Sequence, residues 1–118
     1  MIYMMSLTTK LKAFRDLMKG VTANFYHYYR PHRKGMHNAD HWLVWSEISE
    51  DDSPYLDNQK KAQVLTGTLD FYTMTEYDAR IDTIQEKLNM APVTRWELVS
   101  AGKEEETGLI HYSWSWRM

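Results

Sequence analysis

The 118-residue sequence contains no cysteine, only three prolines and only five glycines. The absence of cysteine excludes a disulfide framework, a thiolate metal site and a thiol nucleophile. Little proline and glycine leaves long stretches free to form helices and strands. No apolar run approaches the roughly 20 residues that cross a bilayer, so we expect no membrane partner. The opening Met1–Met5 is too short for the apolar core of a signal peptide, and we expect residues 1–5 to be disordered or an alternative start.

The sequence also lacks a strong charge of either sign. It has 14 basic and 16 acidic residues, a net charge of −2, which creates no general attraction to nucleic acid or anionic membranes. The length predicts a single domain over residues 1–118, large enough to bury a core without disulfide bonds. Five tryptophans, eight tyrosines and eight methionines are many for this size. We therefore expect some of these side chains to lie in an interface rather than in the core.

The central stretch, Lys61 to Asn89, predicts a strand that runs directly into a helix. Over residues 63–73, leucine and phenylalanine alternate with threonine and aspartate, which is the pattern of a half-buried strand. Thr75, with an acidic residue three positions later, predicts the helix N-cap. An apolar stripe follows at helical spacing and begins at Tyr77. The predicted core of this unit comprises Leu65, Leu69, Ile81, Ile84 and Leu88.

The other segments predict elements that pack around this unit. Helices are expected at Leu7 to Lys19, before Gly20, and at Glu76 to Asn89. Strands are expected at residues 24–30, 41–48, 62–73, 94–102 and 109–117, with Gly108 supplying a positive φ in the last hairpin. This order predicts an α+β fold: a mainly antiparallel mixed β-sheet of about five strands with two helices packed on one face. The strand–helix–strand passage would supply a parallel pair with a right-handed crossover.

Four of the five histidines, His27, His32, His37 and His41, fall within fifteen positions. Their spacing matches no zinc pattern, and no carboxylate joins them at a recognisable interval. A polar loop with histidines at its edges explains them more simply, so we expect no metal and no cofactor. A small metal-dependent, nuclease-like enzyme that uses this segment stays open as an alternative.

Three cations, Arg30, Arg33 and Lys34, follow a run of tyrosines. Cations mixed with aromatic residues occur in proteins that bind single-stranded nucleic acid. The slight acidic excess of the whole chain instead favours a solvated basic loop that contacts an acidic neighbouring surface. We therefore expect no specific nucleic-acid partner and place these three residues in a protein interface.

Acidic residues concentrate in two segments. Ser49 to Gln59 has no basic residue and lacks the ligand pattern of a calcium loop, so it predicts a flexible acidic loop. Three glutamates at the tip of the last hairpin are exposed and poorly suited to acid–base catalysis. With no phosphate loop, nucleophile elbow or Ser-His-Asp spacing, the sequence predicts no enzyme. These segments supply the other expected interface residues: Glu50, Asp51, Asp52, Tyr55, Glu104, Glu105 and Glu106.

Two segments resemble the tail-terminator proteins of long-tailed bacteriophages and prophages, also called tail-completion or tail-to-head joining proteins. The first runs from Leu65 to Thr73 and continues through Thr75 to Asp78 into a helix. The second runs from Gly102 to Trp116, where a charged hairpin tip precedes Thr-Gly-Leu and an alternating aromatic strand. That aromatic stripe, Tyr112 to Met118, is expected in the core or between subunits.

The resemblance implies a structural protein of phage morphogenesis. Such proteins form a hexameric ring on the last tail-tube ring, stop tube polymerisation and offer a surface to the head completion or connector protein. It further implies a location at the head–tail interface of the virion tail, and in the bacterial host cytoplasm during assembly. The alternatives are the metal-dependent enzyme above and a small ligand-binding α+β module.

Overall fold

A computed structural model describes residues 5–31 and 39–118 of the chain. In chain order these residues form α1 (Leu7–Met18), β1 (Phe25–His27), β2 (His41–Glu50), β3 (Tyr55–Leu56), β4 (Gln59–Lys60), β5 (Leu65–Thr73), α2 (Ala79–Leu88), β6 (Arg95–Lys103) and β7 (Ile110–Arg117). The large sheet has five strands in the order β1-β2-β5-β7-β6, and β3 and β4 form a separate two-stranded sheet. The predicted α+β class is confirmed.

The large sheet is antiparallel except at one edge. β2, β5, β7 and β6 pair antiparallel in turn, whereas β1 pairs parallel with β2. The predicted parallel pair across α2 is wrong, because β7 lies between β5 and β6 and bonds to both. A tight turn returns the chain from β6 to β7, with Gly108 at a φ of 76° as expected.

The core lies between the two helices and one face of the sheet. Burial alternates residue by residue along β5, as the period-two pattern predicts. Phe14 of α1 packs on Trp45 and Trp116, with ring centroids 5.0 and 4.6 Å apart. The predicted core is confirmed for the fully or almost fully buried Leu65, Leu69, Ile84 and Leu88, and Ile81 lies partly buried at its margin.

The aromatic stripe of β7 belongs to this core. Trp114 and Trp116 are buried, and Met118 is 3% exposed. The indole of Trp116 lies directly over Gly67, its partner on β5, where an added Cβ would fall 2.1 Å from Trp116 Cζ2. Gly67 therefore makes room for the largest side chain of the core.

Helix α2 begins later than predicted. Its N-cap is Asp78, which accepts a hydrogen bond from the backbone N–H of Arg80 at 3.0 Å, so the prediction of Thr75 as N-cap is wrong. Asp78 also accepts from the buried Thr73 hydroxyl at 2.7 Å, a bond that Thr75 cannot make from its position. Tyr77 precedes the helix with a φ of 57° and is 91% exposed, so the apolar stripe begins at Ile81 instead.

Two strand predictions change for local reasons. β1 is shorter than the predicted 24–30 because Tyr28, at a φ of 73°, turns the chain away from the sheet. The loop predicted at Ser49 to Gln59 is wrong as secondary structure, because β2 continues to Glu50 and β3 and β4 form a hairpin; the flexibility of this segment stays a prediction. Asp57 and Asn58 form its turn with φ values of 53° and 62°, the positive values of a type I′ turn. We call residues 50–60 the acidic arm.

Candidate binding face of the sheet

The sheet face opposite the helices carries a ladder of stacked rings. Trp42, Tyr72 and His111 occupy neighbouring positions on β2, β5 and β7. The rings of Trp42 and Tyr72 have centroids 5.1 Å apart and planes at 19°, and those of Tyr72 and His111 are 4.2 Å apart at 11°. Cross-strand pairs of this kind stabilise a sheet. Here they also give its open face a rigid aromatic surface.

Arg30 extends this ladder by one step. Its guanidinium carbon lies 4.2 Å from the Trp42 ring centroid, a cation–π arrangement. Its Nε and Nη2 atoms are buried and have no hydrogen-bond partner in the described part of the chain. Stacking fixes the guanidinium plane while these two donors stay unused, which is the geometry that recognises a planar anion.

A cleft of about 420 Å³ opens beside Arg30. We call it the open-face cleft; it is lined by Tyr28, Tyr29, Arg30, Trp42, Val44, Ser46, Asp70 and Tyr72. Burial raises the pKa of Tyr72, and the nearby carboxylates of Asp70 and Glu104 add to the effect. The cleft thus combines aromatic walls with one guanidinium and one carboxylate, and His111 donates a hydrogen bond to that carboxylate. The two donors of the guanidinium suit an acidic group carried beside an apolar one.

The floor of the open face also contains a hydrogen-bonded histidine–aspartate pair. Asp70 accepts a hydrogen bond from Nε2 of His111 at 2.8 Å. His111 stacks on Tyr72 at the end of the ladder away from Arg30, and its bond to Asp70 holds the imidazole in place. The Asp70 carboxylate therefore already has one hydrogen-bond donor.

The predicted interface residues of the acidic arm are partly neutralised within the chain. Glu50 forms an ion pair with Lys60 and accepts from the Ser53 hydroxyl at 2.7 Å. These bonds hold the pKa of Glu50 below its ordinary value, the Lys60 bond most strongly. Asp51 pairs with Arg117. The residues left facing solvent on the arm include Asp52 and Tyr55, the latter 65% exposed.

The three glutamates of the β6–β7 turn lie at the other end of the sheet. Glu104, Glu105 and Glu106 are exposed, and Glu104 accepts from the Thr107 hydroxyl at 2.8 Å. β2 has ten residues and the arm follows its last one, whereas the turn lies beside its first. At about 3.3 Å per residue the two acidic surfaces are roughly 30 Å apart. The predicted interface residues that the structure describes therefore form separate surfaces, and among them only Arg30 lines the open-face cleft.

The described histidines are each held by a carboxylate. His27 donates from Nε2 to Glu47 at 2.6 Å and stacks on Trp45 with centroids 3.9 Å apart. Burial pushes the pKa of Glu47 upward, but bonds from Tyr28 and His27 outweigh it and leave the pKa lowered. Residues 5–31 and 39–118 contain no group of three or more histidine, cysteine, aspartate or glutamate side chains placed to hold a metal. His32, His37, Arg33 and Lys34 lie outside those ranges.

One arrangement around His41 resembles a hydrolase triad. Its Nδ1 lies 2.6 Å from Asp40 Oδ1, and its Nε2 lies 2.6 Å from the Thr22 hydroxyl. That hydroxyl also accepts from the backbone N–H of Asn24 at 3.1 Å, and the Asn24 amide donates to the His41 carbonyl. These bonds connect the segment between α1 and β1 to the start of β2. We interpret the arrangement as a structural brace.

Sequence reasoning missed the ladder and the free sheet edge. β6 pairs only with β7 among the described strands. At its bulge, Leu98 is 46% and Val99 is 55% exposed. Each ladder residue lies at a position whose side chain alternates onto the open face of its own strand. Only the strand order and the register show that these residues are neighbours.

Comparison with known proteins adds no relative. No protein-family model matches the chain, and no curated protein matches its sequence. Neither helix among the described residues is long and apolar enough to cross a membrane.

Proposed function

We propose that this protein is a non-enzymatic assembly protein that forms a ring, six copies in the family it resembles, on the end of a phage tail tube. The ring stops polymerisation of the tail-tube protein and presents a surface to the head completion protein. The resemblance in residues 65–78 and 102–116 supplies the identity of the partners. The physical support comes from the surfaces that the described residues leave uncovered.

The observation that carries the proposal is the uncovered sheet. Both helices pack on one face, and the other face carries the aromatic ladder and the open-face cleft. The edge of β6 also lacks a partner strand within the described residues and exposes Leu98 and Val99. Uncovered strand edges readily take a further chain. An aromatic face beside such an edge is a surface suited to association with other proteins.

Ring formation also needs two different surfaces on each copy. A head-to-tail interface closes into a ring only when one surface of a copy fits another surface of the next. The open-face cleft is aromatic and contains the donors of Arg30 that have no described partner, beside Asp70, whereas the acidic arm lies at the opposite end of β2. The described residues thus carry two chemically different surfaces at separate places.

Native mass spectrometry and sedimentation across protein concentration test this proposal. We expect a six-copy species in solution or on added tail tubes, and its formation should weaken as salt rises because charged surfaces guide docking. A chain that stays monomeric at every concentration and leaves tubes uncapped would contradict ring formation. Matched measurements at low and high salt separate charge-guided assembly from nonspecific apolar aggregation.

A further inference from the structure

Two donor atoms of Arg30 stand as they do in an arginine–carboxylate pair, without a partner in the described part of the chain. Arg80 uses its Nε and Nη2 atoms to hold the carboxylate of Asp78, at 3.0 and 2.9 Å. Arg30 has the same two atoms buried without a partner among residues 5–31 and 39–118. Leaving charged donors buried and unbonded is costly. The site therefore lacks one carboxylate, which would complete the bidentate pair already seen at Arg80.

The walls of the open-face cleft restrict what can carry that carboxylate. Trp42 stacks under the guanidinium, and Tyr28, Tyr29 and Val44 supply aromatic and apolar surface. Tyr29 is 70% exposed, so its ring can change rotamer and open the cleft to a ligand. The ligand that fits these walls is an acidic residue flanked by exposed apolar side chains.

The acidic arm of this same chain has that composition. Asp57 stands at the turn, is exposed, and forms no ion pair within the described residues. Beside it, Tyr55 is 65% and Leu56 is 56% exposed. The arm thus presents, in Asp57, a carboxylate without a described ion pair next to two largely exposed apolar side chains.

An arm cannot reach the cleft of its own chain. Arg30 lies over Trp42, the second residue of β2, whereas the arm follows the last residue, Glu50. Eight residues of strand separate them by roughly 26 Å at about 3.3 Å per residue. The occupant must be the arm of a second copy, and the contact is head-to-tail.

We propose that the acidic arm of one copy docks into the open-face cleft of the next, with the Asp57 carboxylate on the Nε and Nη2 atoms of Arg30. This inference rests on the proposed ring, for which it names the contact between neighbours. Tyr55 and Leu56 pack against the aromatic walls of the cleft. The contact satisfies the buried donors of Arg30 and covers the exposed apolar side chains of the arm together.

Disulfide trapping tests the contact cleanly because the chain has no native cysteine. A Tyr29→Cys variant is mixed with an affinity-tagged Leu56→Cys variant under mild oxidation, so that a mixed dimer is identified by its mass. The matched control replaces the tagged partner by tagged Glu86→Cys, which is exposed on α2 at the helix side of the sheet. We expect the Tyr29/Leu56 dimer to exceed the Tyr29/Glu86 dimer at least about tenfold, the ratio of a 1.4 kcal/mol preference.

A double-mutant cycle tests the ion pair within the contact. Arg30→Gln and Asp57→Asn should each weaken association at least about tenfold, and the double variant should be no weaker than either single variant. Asn tolerates the positive φ of position 57, so folding of that variant is preserved. Glu86→Gln removes the same charge at an exposed position of α2, on the helix side of the sheet, and should leave association unchanged.

The outcomes separate this inference from the proposed function. If the wild-type chain forms rings but the Tyr29/Leu56 dimer does not exceed the control, arm docking is wrong and ring formation stands. If the dimer forms but the wild-type chain caps no tube, arm docking stands and the proposed function is wrong. Additive effects of Arg30→Gln and Asp57→Asn would overturn the pairing of those two residues.

Discussion

Replacing Gly67 with alanine tests the packing of the whole sheet. Gly67 lies in the middle of β5, opposite Trp116 on β7. An added Cβ would fall 2.1 Å from Trp116 Cζ2 and 2.3 Å from the backbone carbonyl oxygen of Ser46. Real Cβ atoms do not approach other atoms this closely, so either the indole or the backbone of β2 must move.

Both movements are costly. Trp116 is 1% exposed and packs on Phe14 with ring centroids 4.6 Å apart, so a displaced indole disturbs the helix–sheet contact. The Ser46 oxygen belongs to a strand that is bonded to β5. Overpacking a core costs about 1–3 kcal/mol and sometimes more. With a bulky ring and a backbone atom both obstructed, we expect a loss of about 3 kcal/mol in the free energy of unfolding.

Urea unfolding followed by tryptophan fluorescence and circular dichroism measures this loss as a fall in midpoint at unchanged slope. Gly102→Ala is the matched control, because Gly102 lies in β6 and an added Cβ there meets no atom within 4 Å. Alanine at that position should be neutral or stabilise by about 0.5–1 kcal/mol through the unfolded chain. Equal midpoints for the two variants would refute the account of Gly67.

Three further substitutions test local features. Ile84→Ala should lower the free energy of unfolding by about 2–4 kcal/mol, since Ile84 is fully buried; a loss near zero would mean that α2 packs differently. Tyr77→Gly should raise the free energy of unfolding by about 1 kcal/mol, because glycine relieves a positive φ at an exposed residue. A fall in that free energy would mean that the tyrosine ring makes a stabilising contact. Asp78→Asn should cost about 2 kcal/mol at pH 7, because the amide keeps the cap but has only one oxygen to accept the bonds of Thr73 and of the Arg80 guanidinium. Burial raises the pKa of Asp78, but bonds from Arg80 and Thr73 outweigh it and lower the pKa. The difference in free energy of unfolding between Asp78→Asn and wild type should therefore have its full size above the unfolded pKa of about 3.9. It should shrink as the pH falls through the lower pKa of the folded state, and a difference that does not vary with pH would contradict this.

Sequence periodicity predicted the elements whose signals are local. The alternation around Leu69 predicted β5, and the spacing of Ile84 and Leu88 predicted the buried face of α2. The N-cap was misplaced because Thr75 and Asp78 have similar capping chemistry. Asp78 caps the helix because it also bonds the buried Thr73 hydroxyl and the Arg80 guanidinium, and neither contact is visible in a capping pattern.

Other features depend on contacts between distant segments. The hairpin of the acidic arm carries a turn signal at Asp57 and Asn58, but the density of acidic residues favoured a loop interpretation. The pairing of Lys60 with Glu50 neutralises part of that charge and favours the folded hairpin. The position of Trp116 over Gly67 likewise follows from strand register and not from local pattern.

The candidate site was predictable only in part. Arg30 was expected in a protein interface, and it lines the open-face cleft. Its stacking on Trp42 and its two donors without a described partner could not be predicted, because they depend on how the chain continues after Tyr28 leaves the line of β1 with a positive φ. Whether this face binds another copy stays a prediction.

The central claim is that the chain caps tail tubes and joins them to heads. Deleting its gene from the genome that encodes it, and supplying it again from a plasmid, tests that claim most directly. Electron microscopy of the deletion lysate should show filled heads that are not joined to tails, together with over-long or unfinished tails, and the plasmid should restore joined virions. Normal joined virions from the deletion strain would contradict the account.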